Sequence, residues 1–202
     1  MKAYRLICSA LALIATAALP SHAVNAQDTE NLQDMATASC DMPGLTVAPP
    51  EPWYSVPIES EDPIIAGCQM IWEDGDQYMG IMRLVSFDLR ERPDDAQQWV
   101  KLALAFEEQV FNRMNFTLVK PLWKRETLPV SGEGFANGSA VGFEIRLEGV
   151  AHRSEGHFVF FEGATHKYII SLITPSEEAS PDIYRANTNA MSTVMRTLQP
   201  GK

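Results

Sequence analysis

The stretch His157 to Thr174, HFVFFEGATHKYIISLIT, constrains the fold of this chain more than any other. Two apolar runs flank Glu162-Gly163-Ala164, a pattern that predicts two strands joined by a tight turn. Phe158, Phe160, Phe161, Ile169 and Ile170 put apolar side chains on both faces of the hairpin. A hairpin apolar on both sides must lie centrally in its sheet and be covered on both faces. Val141 to Val150 precedes it, with Phe143, Ile145 and Leu147 alternating with Glu144, Arg146 and Glu148. That alternation predicts a third strand of an antiparallel meander, wet on one face.

Two helices are predicted to cover this sheet. Pro93, Asp94 and Asp95 mark the start of the first, with Gln98 spaced to complete a capping box on Asp95. Trp99, Leu102, Ala103, Phe106, Val110 and Met114 give its apolar stripe, leaving Glu107, Glu108, Asn112 and Arg113 for the surface. Ser180-Pro181 reads as the N-cap and first residue of the second helix, with a stripe running from Ile183 to Leu198. Upstream, Ile64 to Trp72 is a strand whose even positions, Cys68 among them, face inward. Glu73-Asp74-Gly75-Asp76 turns it into a return strand, Tyr78 to Leu89. Short strands are expected at Phe116–Pro121 and Thr127–Val130. The expected class is α+β: a mostly antiparallel sheet with two main amphipathic helices packed against it, an α/β/α sandwich.

The N-terminus reads as a secretory signal peptide. Lys2 and Arg5 precede an apolar run from Leu6 to Leu19, and small-residue ends follow at Ala23 and Ala26. The run is shorter than the ~18–20 residues of a membrane span. Cleavage is expected after Ala26, or after Ala23. Residues 27–50, rich in Pro and Gly, are expected to form an irregular segment, and 51–199 a single domain. The organisation is thus 1-26 signal peptide, 27-50 leader, 51-199 domain, with a periplasmic or secreted location and no membrane insertion after cleavage.

Cleavage leaves 14 basic against 26 acidic residues, a charge of −12. Such a balance excludes a nucleic-acid footprint and electrostatic docking on anionic lipid. It suits solubility and allows a basic protein partner. Two cysteines remain, Cys40 and Cys68. An even pair in an oxidising compartment predicts a disulfide. It would close a loop of about 28 residues and contribute roughly 3 kcal/mol.

No pattern for chemistry emerges. His152, His157 and His166 survive processing. With Gly163-Ala164 as a two-residue turn, Phe161 faces His166 and His157 faces Ile170. At ~3.3 Å per residue the two histidines are then ~13 Å apart, too far to share zinc. Ser154 and His157 are close in sequence, and no third group orients them. Glu144 and Glu148 flank Arg146 as ordinary surface charge. No catalytic, cofactor or metal residue is assigned, and no cofactor is expected.

Element order adds one further indication. Two strands, a helix, short strands, a three-strand meander and a terminal helix, closing on Tyr168-Ile169-Ile170-Ser171-Leu172-Ile173-Thr174-Pro175 and a polar turn, resemble the Mog1/PsbP-like family of exported accessory proteins. The resemblance covers roughly residues 50–199. It implies the same α+β sheet and a non-enzymatic, partner-binding role, and it carries over no functional residue. The leading expectation is an exported non-enzymatic accessory protein binding another protein in the cell envelope. One alternative is a carrier of a small apolar ligand between the sheet and the helix bearing Trp99 and Phe106. A second is a hydrolase using the histidines.

Overall fold

A computed structural model describes residues 39–58, 60–74, 77–113, 116–127, 135–147 and 153–200. The signal-peptide reading, His152 and Glu148 lie outside them. The strands are β1 (Cys40–Met42), β2 (Leu45–Val47), β3 (Tyr54–Ile58), β4 (Ile65–Asp74), β5 (Gln77–Phe87), β6 (Phe116–Thr127), β7 (Ala136–Leu147), β8 (Ser154–Glu162), β9 (Lys167–Pro175) and β10 (Gln199–Pro200). The helices are α1 (Pro93–Gln97), α2 (Trp99–Arg113) and α3 (Pro181–Thr197).

Seven strands form one antiparallel sheet in the order β3-β4-β5-β9-β8-β7-β6. The β8–β9 hairpin sits inside it as its two-sided pattern requires. Strand alternation divides the core in two. Met82 and Leu84 of β5, Val159 and Phe161 of β8, and Ile170 and Leu172 of β9 pack with Ala190, Met191 and Val194 of α3. Their neighbours Ile81, Val85, Phe158, Phe160, Ile169 and Ile173 pack with Trp99, Ala103 and Phe111 of α2. Successive residues point to opposite faces of a sheet, so the two helices cover opposite faces. The class is α+β, with an α/β/α layering.

The hairpin turn is longer than predicted. Glu162 pairs with Lys167 and Phe161 with Tyr168, so Gly163 to His166 form a four-residue loop, closed by the Gly163 N–H donating to the His166 carbonyl at 2.9 Å. The register moves by two residues, His157 facing Leu172 rather than Ile170. A shift of two preserves which face each side chain takes, so the expected faces survive. Stacking of Phe161 on Tyr168, with centroids 5.0 Å apart, and the Lys167–Glu162 ion pair hold the observed register.

Residues 40–47 are not the irregular leader expected of 27–50. β1 and β2 form a hairpin, and β10 pairs with β2 to complete a small three-stranded sheet. Pro43-Gly44 makes its turn, and Gly44 takes φ 75, where a side chain is strained. A Cβ there would lie 2.6 Å from the Tyr168 hydroxyl oxygen, so closeness also demands glycine. Leu45 and Val47 are fully buried in the α3-side core. Cys40 and Cys68 are disulfide-bonded with Cα atoms 6.0 Å apart, tying β1 to β4.

Helix and strand ends differ in detail. α1 starts at Pro93 with Arg92 as N-cap and no side-chain cap bond, so the Asp95 capping box does not form. The helix then breaks at Gln98 before α2 begins at Trp99. Ser180 and Pro181 do stand at the N-cap and first position of α3. β6 runs unbroken from Phe116 to Thr127 where a shorter strand was expected, with register irregularities along its pairing to β7.

Candidate functional site

The interior holds several polar residues. Glu107, expected on the surface of α2, is fully buried. It follows Ala103 and precedes Phe111 in the buried stripe Trp99–Ala103–Glu107–Phe111, one residue per turn of the helix. Beneath it, Arg83 of β5 is 3% exposed, and Ser171 of β9 donates its hydroxyl to Glu107 Oε2 at 2.8 Å. Arg83 Nη2 stands 3.7 Å from Glu107 Oε1, and the guanidinium lies 5.6 Å from the Phe106 ring. Arg83 Nε and Glu107 Oε1 make no hydrogen bond within the described residues. Burial pushes the Glu107 carboxyl up, with Arg83 and the Ser171 hydroxyl opposing. The same burial pulls the Arg83 guanidinium down. The cluster is buried between α2 and the sheet.

On the opposite face, Asn187 of α3 is fully buried. Its Nδ2 donates to the Met79 carbonyl at 2.9 Å and to Thr174 Oγ1 at 3.0 Å. Gly80 lies directly against it: a Cβ there would meet Asn187 Oδ1 at 2.6 Å and Trp53 Cη2 at 2.7 Å. Glycine lets the helix and Trp53 approach the strand backbone.

The histidines are held apart. His157 lies on the α3 face, 3.2 Å from Glu155 Oε2 through Nε2, with its ring 5.7 Å from that of Tyr184. His166 sits in the β8–β9 loop at the other end of the sheet. Its Nδ1 is 2.7 Å from Thr165 Oγ1 and its Nε2 3.8 Å from Asp88 Oδ2. Burial lowers the His166 imidazole, with Asp88 acting against it. The Arg90 guanidinium, bonded to both Asp88 oxygens, holds that carboxyl well below its ordinary range. By alternation Ser154 faces the α2 side of β8 and His157 the α3 side, so the two do not meet. Ser171 also faces α2, and its hydroxyl is committed to Glu107. Glu144, read as surface charge, is buried, with Arg146 and Arg153 within 4 Å of its Oε1 at 3.9 and 3.8 Å. Among the described residues, no group of three or more His, Cys, Asp or Glu could hold a metal ion.

Aromatic rings pack together between α2 and the sheet, where an apolar ligand was expected. Trp99 packs edge-on against Phe160 at 5.7 Å, and its Nε1 donates to Glu162. Phe106 packs edge-on against Phe87 at 5.9 Å, and Phe111 lies 5.7 Å from Phe158. Met70, Met82 and Met191 are buried in the other core. Among the described residues, no helix is long and apolar enough to cross a membrane.

The surface carries the clearest asymmetry. Between residues 27 and 82 every Asp, Glu, Lys or Arg is an acid, and Arg83 is the first Lys or Arg after Arg5. That stretch supplies β1 to β4, so one flank of the fold is acidic without interruption along the chain. β3 is the terminal strand there, β4 lies beside it, and the disulfide fixes β1 against β4. Asp41, Glu51, Glu61, Glu73 and Asp74 are all exposed on it. Net charge alone did not reveal this segregation; a running tally of charge sign along the chain does.

The fold and site therefore define an α+β protein with a segregated acidic flank and a buried polar residue in each main helix. No protein-family model matches the chain, and no curated protein does. Solved structures similar to it include LpqN of Mycobacterium tuberculosis, described as involved in cell envelope biogenesis, at 12% identity and a TM-score of 0.45. That likeness covers 91% of this chain and all of LpqN. The Ran-binding protein Mog1p of Saccharomyces cerevisiae is similar at 8% identity over 80% of this chain and 95% of its own, with a TM-score of 0.43. A Bacteroides thetaiotaomicron protein is similar at 15% identity and a TM-score of 0.41. The likeness covers 83% of this chain and half the length of that protein.

Proposed function

We propose that this chain is an exported accessory protein that works in the cell envelope by binding another protein, and that the partner is basic. Export is supported by the charged, apolar and small-residue succession of residues 1–26 and by the Cys40–Cys68 bond, which suits an oxidising compartment. The observation that carries the binding reading is the acidic flank of β1 to β4. Its field steers and holds a partner of opposite sign. The buried polar groups, by contrast, are engaged in holding helices to the sheet.

The test uses the mature, oxidised protein immobilised against envelope extract at low ionic strength. One protein should be enriched, released by salt as screening sets in, and lost when Glu51, Glu61, Glu73 and Asp74 are replaced together by Lys. Finding no specific partner refutes the binding reading. A partner retained through high salt and through the charge reversal refutes the acidic flank as its site.

A further inference from the structure

α2 has one buried charge inside an apolar arc. Around the helix, Trp99, Val100, Leu102, Ala103, Leu104, Phe106, Val110 and Phe111 are all buried or half-buried. At about 100° per residue these positions span roughly 200° of the circumference. An apolar arc that wide does not select a single rotation of the helix, because a moderate roll exchanges one apolar residue for another. The sheet beneath is also apolar, presenting Val85, Phe158, Phe160, Ile169 and Ile173. Only Glu107 breaks the arc as a buried charge, Arg113 at the helix end being exposed, and only one rotation sets Glu107 over Arg83 and Ser171.

We propose that the Arg83–Glu107–Ser171 cluster is a rotational lock, which fixes the seating of α2 on the sheet without adding to the stability of the fold. The geometry separates these two roles. The pair stands at 3.7 Å, and Arg83 Nε and Glu107 Oε1 each lack a hydrogen bond among the described residues. An imperfectly bonded buried pair recovers little beyond its own desolvation, and apolar replacements of similar volume commonly do as well or better. Any other roll carries Glu107 off Arg83 and leaves both charges buried without a counter-charge. The penalty for misplacement, rather than the reward for contact, confers specificity. The lock fixes which residues of α2 face outward, Glu108 and Asn112 among them.

The test compares Glu107→Leu with the double replacement Arg83→Met, Glu107→Leu in the oxidised protein. The single change leaves Arg83 buried alone and should lower the melting midpoint by roughly 10 °C. The double change should restore the midpoint to at least the wild-type value. Its backbone amide resonances for residues 99–113 should broaden or double, where the wild type should give one sharp set. A double variant that fails to fold, or melts no higher than the single, overturns the proposal. So does a stable double variant whose α2 resonances remain single and sharp.

Discussion

Replacing Gly80 by alanine tests how tightly α3 is fitted to the sheet. The added Cβ would lie 2.6 Å from Asn187 Oδ1, 2.9 Å from Asn187 Cγ and 2.7 Å from Trp53 Cη2. Asn187 cannot swing away freely, because its Nδ2 is bonded to the Met79 carbonyl and to Thr174. Trp53 is 4% exposed and lies against Trp72, with centroids 6.2 Å apart. Overpacking of a filled core costs about 1–3 kcal/mol. Displacing Asn187 and orphaning its buried partners adds about 1–3 kcal/mol. The expected loss is therefore about 2–6 kcal/mol, measured by urea unfolding with an unchanged m-value. The same substitution in an Asn187→Ala background should cost at least about 1 kcal/mol less, because one of the two obstacles is gone. A Gly80→Ala protein within about 0.5 kcal/mol of wild type would refute the reasoning, as would a cycle additive to that margin.

Three further outcomes follow from the interior. Replacing Cys40 and Cys68 together by alanine should lower stability by about 3 kcal/mol, read as a lower urea midpoint for a variant that still folds. Burial pushes the Tyr168 phenol up to about 12, and it donates to the Pro43 carbonyl. The folded state thus holds this proton more tightly than the unfolded chain, whose phenol titrates near 10. Stability should fall as pH rises from about 10 toward 12, and Tyr168→Phe should remove that component from alkaline unfolding curves. Glu107 is likewise raised, so the folded state retains its proton above the unfolded carboxyl value of about 4.3. Its contribution is whole below that value and declines as pH rises above it. Glu107→Gln should flatten that part of the stability profile, measured by urea midpoints across pH.

Much of this fold could be read from local pattern because its decisive elements are locally patterned. The two-sided β8–β9 hairpin, the inward even face of β4 and the Ser180-Pro181 helix start each need only a short window of sequence. The largest error falls where a distant partner decides. Glu107 is buried because Arg83 and Ser171 wait beneath it on β5 and β9, and helical periodicity carries no trace of those strands. Glu144 is buried beside Arg146 and Arg153, although a simple alternation assigns it to solvent. The four-residue hairpin loop is set by pairing of Glu162 with Lys167 and stacking of Phe161 on Tyr168. The β1–β2 hairpin did carry a local signal, Pro43-Gly44 between Cys40, Met42, Leu45 and Val47. Its strands of three residues are too short for periodicity to reveal. The acidic flank was equally visible in the order of charges, and only a total over the chain concealed it.

The two helices are attached to the sheet by one shared logic. Each sets a single buried polar residue in an apolar stripe: Glu107 in α2 and Asn187 in α3. Each polar residue reaches the same two strands from opposite faces. Glu107 meets Arg83 of β5 and Ser171 of β9; Asn187 meets the Met79 carbonyl of β5 and Thr174 of β9. Apolar burial is non-directional and supplies most of the attraction, whereas these contacts are satisfied at one position only. The centre of the sheet therefore works as a common frame on which both helices are indexed. In the binding role proposed above, the acidic flank gains from such a frame, since β4 is hydrogen-bonded directly to β5. Truncating apolar residues such as Phe160 or Val194 should then loosen the whole domain. Changes at Glu107 or Asn187 should first alter how the helices sit on β5 and β9.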